Sequence, residues 1–342
     1  MPDNYPQQMQ QPGLLFAPFK GLTDRRYRNA LARHFGGFDA MYAPFISGVG
    51  QDRINPSKLT DVIPLEENLA PTVPQFISTD AREIILFGKT LQQHGYDHIN
   101  WNLGCPFSRI ANKKRGCGLL PYPVELDRIL NEVFKDFPIK LSIKTRLGYY
   151  KPDEIFKVLE VLNHYPIDLL IIHARIGTQI YSGEVNLEGF KECLSVSKNP
   201  VAYNGDIYHV ARLREMQTLF PQVNTWMVGR GALINPFLAI YIKGTNFSEE
   251  VKRQKLNAFH HELLEGGRRV AVNKARLLGS MKAVWYYLSG IFENGTEVFI
   301  KIKKTRTIED YEVLIENELQ RPFANELALE NYFRKGVKHR GL

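Results

Sequence analysis

The sequence predicts an α/β protein, a (β/α)8 TIM barrel followed by a small all-helical domain, and three observations carry that prediction. Eight short apolar, β-prone runs alternate with helical patterns over roughly 230 residues, which suits a closed eight-unit barrel better than an open doubly wound sheet. No GxGxxG follows the first run, as it would at the phosphate turn of a dinucleotide-binding sheet. After Gly244 the pattern turns to helix alone.

In chain order the strand runs are LLFAPFKG (14–21), AMYAPFISG (40–48), TVPQFIST (72–79), HINWNLGCP (98–106), IKLSIKTRLG (139–148), DLLIIHARIG (168–177), NPVAYNGDI (199–207) and TWMVGRGAL (225–233). Between them lie TDRRYRNALARHFG, DAREIILFGKTLQQHGY, PVELDRILNEVFKDF, KPDEIFKVLEVLNHY, LEGFKECLSVSK and VARLREMQTLF. Several open with Thr, Asp or Pro, where a side-chain oxygen caps a free N–H or the missing proline N–H costs nothing. Residues 49–70 show little helical periodicity and are expected to form a loop. Residues 1–12 read as a disordered tail, 13–244 as the barrel and 245–342 as the helical domain. Within the last, Ser248 is the expected cap, Leu256, Phe259 and Leu263 share one face, and Leu277, Met281, Trp285 and Leu288 share another. Thr307 with Asp310 marks a further helix start.

Composition narrows the class. A chain of 342 residues, 44% apolar, can build one large core and a smaller second one. The opening has no signal-peptide pattern, and no later stretch approaches the about 18 uninterrupted apolar residues of a membrane span. Three cysteines in so long a chain argue for a reducing compartment, so a cytoplasmic protein is expected. Neither CxxC nor finger spacing is present, and no metal is expected. The net charge of +8 is concentrated: Lys252 to Arg306 holds 12 Lys/Arg against 4 Glu and no Asp, and the rest of the chain balances. A basic module on a neutral one points to a polyanionic partner, with Lys282 as a representative contact.

In such a barrel the chemistry sits at the C-terminal ends of the strands. Unusual residues fall there: Pro18 and Phe19; Gln75; Asn102 and Cys105; Lys144 and Arg146; His173 and Arg175; Asn204, Gly205 and Asp206; Gly229, Arg230 and Gly231. Glycine before and proline after Cys105 hold a tight backbone that would present the thiol at the barrel mouth. Cys193, inside a helical pattern, reads as core, and the Cys117 thiol as incidental. Lys144 points inward and suits a Schiff base, a phosphate contact or a cation beside an electron-rich ring. NGD and GRG, in order at strands seven and eight, suit a phosphate-bearing cofactor.

These segments together resemble the tRNA-dihydrouridine synthases. APFKGLTDRRYR is similar to the family's opening A-P-M-x-G-x-T-D-x-x-[FY]-R, NLGCP to its active-site cysteine motif, and IKTRLG to its strand-five lysine motif. HARIGTQIYSG, NGDI and GRGALINPF follow in the family's order, so the resemblance runs through nearly all of residues 14–240. Phe19 stands where methionine is usual, and RGCGLL replaces the usual glycine and small-residue run. The resemblance implies FMN at the barrel mouth, NADPH as reductant and a tRNA uridine as substrate, hydride passing from FMN to C6 and a proton from Cys105 to C5. It implies that Ala17, Pro18, Phe19, Gln75, Lys144 and His173 line the flavin, with Asn204, Gly205, Asp206, Gly229 and Arg230 near its phosphate. Asn102 and Arg175 fall where the family meets the base. No obligate protein partner is implied. Competing readings are an FMN barrel that reduces a small molecule, a lyase using Lys144, and an inactive RNA-binding barrel.

Overall fold

A computed structural model describes residues 11–50 and 52–336; of the tail expected over 1–12, residues 1–10 lie outside the described residues. Ten strands run β1 (Gly13–Phe16), β2 (Ala40–Tyr42), β3 (Ile46–Ser47), β4 (Thr72–Val73), β5 (Gln75–Ile77), β6 (His98–Leu103), β7 (Lys140–Gly148), β8 (Leu170–Ile176), β9 (Val201–Asn204) and β10 (Thr225–Val228). Their order is β3-β5-β6-β7-β8-β9-β10-β1-β2-β4, every pair parallel. Pro74 alone separates β4 from β5, and Ala43 to Phe45 separate β2 from β3. Since β2 pairs with β4 and β3 with β5, the two ends of the series meet and the sheet closes into an eight-unit barrel.

The two breaks differ from the uninterrupted runs expected, and proline is the reason: Pro44 and Pro74 have no N–H to give the ladder. Between the pairs Tyr42↔Val73 and Ile46↔Phe76, residues 43–45 oppose 74–75, so one extra residue bulges the second unit. Among its described residues, the expected loop over 49–70 carries only the short turns Pro56–Lys58 and Leu65–Glu67.

The outer helices start where side chains cap them. Asp24 accepts from the Tyr27 N–H ahead of Arg25–His34, and Asp80 from the Arg82 and Glu83 N–H groups ahead of Ala81–Gln93. Inside the barrel, Leu15, Tyr42, Val73, Ile171, Ala202 and Met227 form an apolar layer. A polar chain adjoins it. Asn100 Nδ2 donates to Ser142 Oγ (2.8 Å), Gln75 Nε2 to Asn100 Oδ1 (2.7 Å) and Asn102 Nδ2 to Gln75 Oε1 (2.7 Å), so these buried amides orient one another.

Gly244, at φ +92, ends the barrel segment, its N–H returning to the Tyr241 carbonyl. Helices Glu249–Val270, Lys274–Leu288, Gly295–Lys304, Ile308–Glu318 and Glu326–Asn331 follow. Ser248 and Thr307 cap the first and fourth as expected. The buried stripe of the first helix is Leu256, Phe259, His260 and Leu264. Leu264 takes the central place expected for Leu263, because offsets of three, four and eight follow one face at 3.6 residues per turn. Phe259 meets the edges of Tyr27 and Phe35 at 5.5 and 5.1 Å, and Lys255 Nζ donates to the His34 carbonyl (2.8 Å). The helical region is thereby docked on the first barrel helix.

Candidate active site

At the C-terminal ends of the strands the loops enclose one cavity, built first around the β6 end. Asn102 Oδ1 accepts from the N–H groups of Gly104 (3.1 Å) and Cys105 (2.8 Å), turning the chain sharply. From behind, the Cys117 N–H and thiol both reach the Cys105 carbonyl at 3.2 Å. Gly116 permits this approach: it sits at φ +58, and a Cβ there would lie 2.6 Å from the Cys105 carbonyl oxygen. Cys105 is 6% exposed and lines the cavity. Burial pushes its thiol pKa up; an N–H from Phe107 and the charges of Arg146, Arg109 and Lys144 pull in the other direction. The thiol is therefore protonated at neutral pH. Cys117 and Cys193 are fully buried and pushed up to about 12, the latter in the helix core as expected.

Cations converge on the neighbouring strand ends, beginning with β7, which pairs with β6. Lys144 Nζ donates to Asn204 Oδ1 at 2.9 Å, and desolvation, with Arg146 next, holds its pKa down to about 7. Arg146 spends its guanidinium on the carbonyls of Gly104 (2.9 Å), Ile176 (3.0 Å) and Ile180 (2.8 Å), joining the Cys105 turn to the loop after β8. Asp206 accepts from Arg175 through both oxygens (2.8 and 2.5 Å) and from Arg230 (2.8 Å). Burial, then the surrounding arginines and Lys144, hold His173 well below the usual imidazole range. Its Nε2 accepts from Arg175 Nη1 at 3.3 Å, which places the ring proton on Nδ1.

The residues expected from sequence fall together: Ala17, Pro18, Phe19, Gln75, Asn102, Cys105, Lys144, His173, Asn204, Gly205, Asp206, Gly229 and Arg230 all line this cavity. Arg175 does not; it lines an adjoining recess with Asp206 between them. Sequence reasoning found Phe19 but missed the rings around it. The Phe19 and Tyr181 rings lie near-parallel, 6.5 Å apart and 18° from coplanar, with Tyr287 6.0 Å from Phe19. Arg230 Cζ lies 4.2 Å from the Phe333 ring centre. Tyr181 stands within HARIGTQIYSG and could have been read from it. Tyr287 and Phe333 belong to the helical region and carry no local signal.

The donor set fits a flavin phosphate cofactor. Among the described residues that line the cavity, Lys20, Arg109, Lys144, Arg146 and Arg230 face a single carboxylate, Asp206, a surplus suited to an anionic, electron-rich ligand. The N–H groups of Gly205 and Asp206, which line the cavity, have no acceptor among the described residues, and Gly205 takes φ +148, where a side chain would also collide with Val185 (2.9 Å).

A family model described as dihydrouridine synthase matches residues 15–323. The chain is 25% identical over 290 residues to tRNA-dihydrouridine synthase B of Pasteurella multocida (strain Pm70), covering 82% of this chain and 85% of that one. It is 28% identical over 260 residues to a probable tRNA-dihydrouridine synthase of Aquifex aeolicus (strain VF5), covering 73% and 78%. Against a tRNA-dihydrouridine(16) synthase of Neisseria meningitidis serogroup A the figures are 27% over 241 residues, 68% and 72%.

Proposed function

Because the chain belongs to the dihydrouridine synthase family, we propose that it reduces the C5–C6 bond of a tRNA uridine, with FMN in the barrel mouth, NADPH as reductant and Cys105 as the acid. The observation that carries this is the meeting, in one cavity, of a buried thiol and an unbalanced set of cations. When bound, reduced FMN would supply the hydride for C6. Cys105 holds the proton that completes the bond at C5, and its raised pKa keeps that proton in place at neutral pH. Asn102 positions the Cys105 turn. Lys144, His173 and Gln75 would flank the isoalloxazine ring, and Gly205, Asp206, Gly229 and Arg230 the phosphate. A base in folded RNA must leave its stack to enter such a mouth.

Residues 13–244 form the catalytic barrel in this reading, and 245–342 grip the tRNA in the cytoplasm, where three unpaired cysteines persist. No described helix is long and apolar enough to cross a membrane. Of the twelve cations between Lys252 and Arg306, several serve the fold. Lys282, representative in the sequence reading, donates to the carbonyls of Lys303 (3.0 Å) and Thr305 (2.5 Å), closing a helix end. Arg253 likewise holds the Leu319 and Arg321 carbonyls. Arg269, Arg276, Lys303, Lys304 and Arg306 are exposed with no side-chain partner among the described residues. Replacing these five with glutamine is expected to flatten the salt dependence of tRNA binding by about 0.7–0.9 log units for each phosphate that is no longer neutralised. An unaltered slope would place the grip elsewhere.

The direct test is turnover: the purified protein should release FMN on heating and convert uridine to dihydrouridine in unmodified tRNA at the expense of NADPH. Release of no flavin, or no dihydrouridine, sinks the proposal. A linkage effect follows from Lys144. With a free-state pKa of about 7, and an anionic ligand that favours its charged form, FMN affinity should be level below pH 7. It should then fall by up to about tenfold per pH unit above, as binding must take up a proton. Fluorescence titration from pH 6 to 9 checks this; the decline should vanish in Lys144→Met.

A further inference from the structure

We propose that the loop between Cys105 and Cys117 is itself an RNA-phosphate clamp, in which Arg109, Lys113, Lys114 and Arg115 hold the backbone beside the nucleotide that enters the cavity. This rests on the tRNA reading above and is separate from the basic surface of the helical region. No Asp or Glu occurs from His98 to Val124, while these four cations fall within 109–115. None of their side chains forms an ion pair among the described residues; the nearest acid along the chain, Glu125, feels the Lys114 charge but is paired with Arg128, and other rim cations are engaged, Lys20 with the Phe45 carbonyl and Lys58 with those of Ser47 and Gly48. Arg109 lines the cavity, and Lys113 and Lys114 are exposed beside it. Uncompensated cations at the lip of a site are what a polyanion would neutralise.

The backbone supplies a second, independent observation. The short helix Ser108–Ala111 ends in a left-handed turn, with the Lys114 N–H on the Ala111 carbonyl (2.9 Å) and the Arg115 N–H on that of Ile110 (3.3 Å). The left-handed residue is Lys114, at φ +54, where glycine would be easier. A lysine kept at local conformational cost points to use of its side chain. Its Nζ lies 4.1 Å from the ring centre of Tyr122, which is 42% exposed. A cation beside an exposed ring offers RNA both a phosphate contact and a stacking face. The loop is tied back to Cys105 through both Cys117 bonds, so phosphates can be held on it without displacing the thiol.

The position of Lys114 allows a test that separates binding from folding. Lys114→Gly should melt at or above the parent temperature, since glycine relieves the left-handed turn, yet bind unmodified tRNA transcript with a log–log salt slope flatter by about 0.7–0.9. Lys113→Gln, Lys114→Gly and Arg115→Gln combined should flatten it by about two units, so that a fourfold rise in salt costs this variant roughly 20-fold less affinity than it costs the parent. Reduction of bound FMN by NADPH, and the single-turnover rate at saturating tRNA, should match the parent. A triple variant with the parental slope overturns the clamp, as does a Lys114→Gly protein that melts lower. A parent that leaves the transcript's uridines unreduced overturns the tRNA reading instead, and the two failures are told apart by that control.

Discussion

Cys105→Ala is expected to slow uridine reduction by roughly 10²–10⁴-fold while NADPH still reduces the bound flavin at the parental rate. The thiol carries a proton and has no part in holding the cofactor in the proposed scheme, so the two half-reactions should separate cleanly. Stopped-flow bleaching of flavin and dihydrouridine formation in unmodified tRNA measure them individually. Full tRNA turnover by the variant would remove Cys105 from the mechanism. The pH dependence has a definite sign: burial raises the thiol pKa, the active form is the protonated one, and the parental rate should hold through neutral pH. It should fall only as pH passes above the ordinary thiol range. Cys117→Ala should alter chemistry far less, since its thiol is buried against the Cys105 carbonyl.

Asp206→Asn is expected to cost about 3 kcal/mol or more of folding stability, because it leaves two buried guanidiniums facing a neutral amide. Arg175 and Arg230 both close on this carboxylate, and all three side chains are at most 10% exposed. Asparagine keeps the shape and tolerates the left-handed backbone at φ +44, so the charge is the variable changed. Asp24→Asn is the control: its pair with Arg26 is two-fifths exposed, asparagine caps a helix as well as aspartate, and the destabilisation should be under about 1 kcal/mol. Equilibrium denaturation of both compares them. Equal effects would mean that Asp206 does not neutralise the buried arginines.

The barrel was legible because its strands and helices each satisfy local rules. Apolar runs of strand length, Asp caps and the glycine at 244 are properties of neighbouring residues, and they were enough to order eight units and locate their C-terminal ends. The strand breaks at Pro44 and Pro74 follow from equally local chemistry, the missing N–H, but their outcome depends on pairing between β2 and β4 and between β3 and β5. The same holds for function. Cys105, Lys144 and His173 stand at strand ends in the sequence, and the fold carries them into one cavity.

The sequence by itself thus determined the order of elements, the rim on which chemistry occurs and the residue types available there, since these depend on spacing and on the family resemblance carried by contiguous motifs. Only the tertiary structure decided how those groups share charge and hydrogen bonds. It joined Asp206 to both Arg175 and Arg230, turned Asn102 toward the backbone of Cys105, and committed Lys282 to two carbonyls that the net charge could not reveal. It also brought Tyr287 and Phe333 from the helical region to the cavity wall. The physical reason is common to all: desolvation and partner choice are set by distances between residues remote in the chain, which exist only once the barrel has closed and the helices have docked on it.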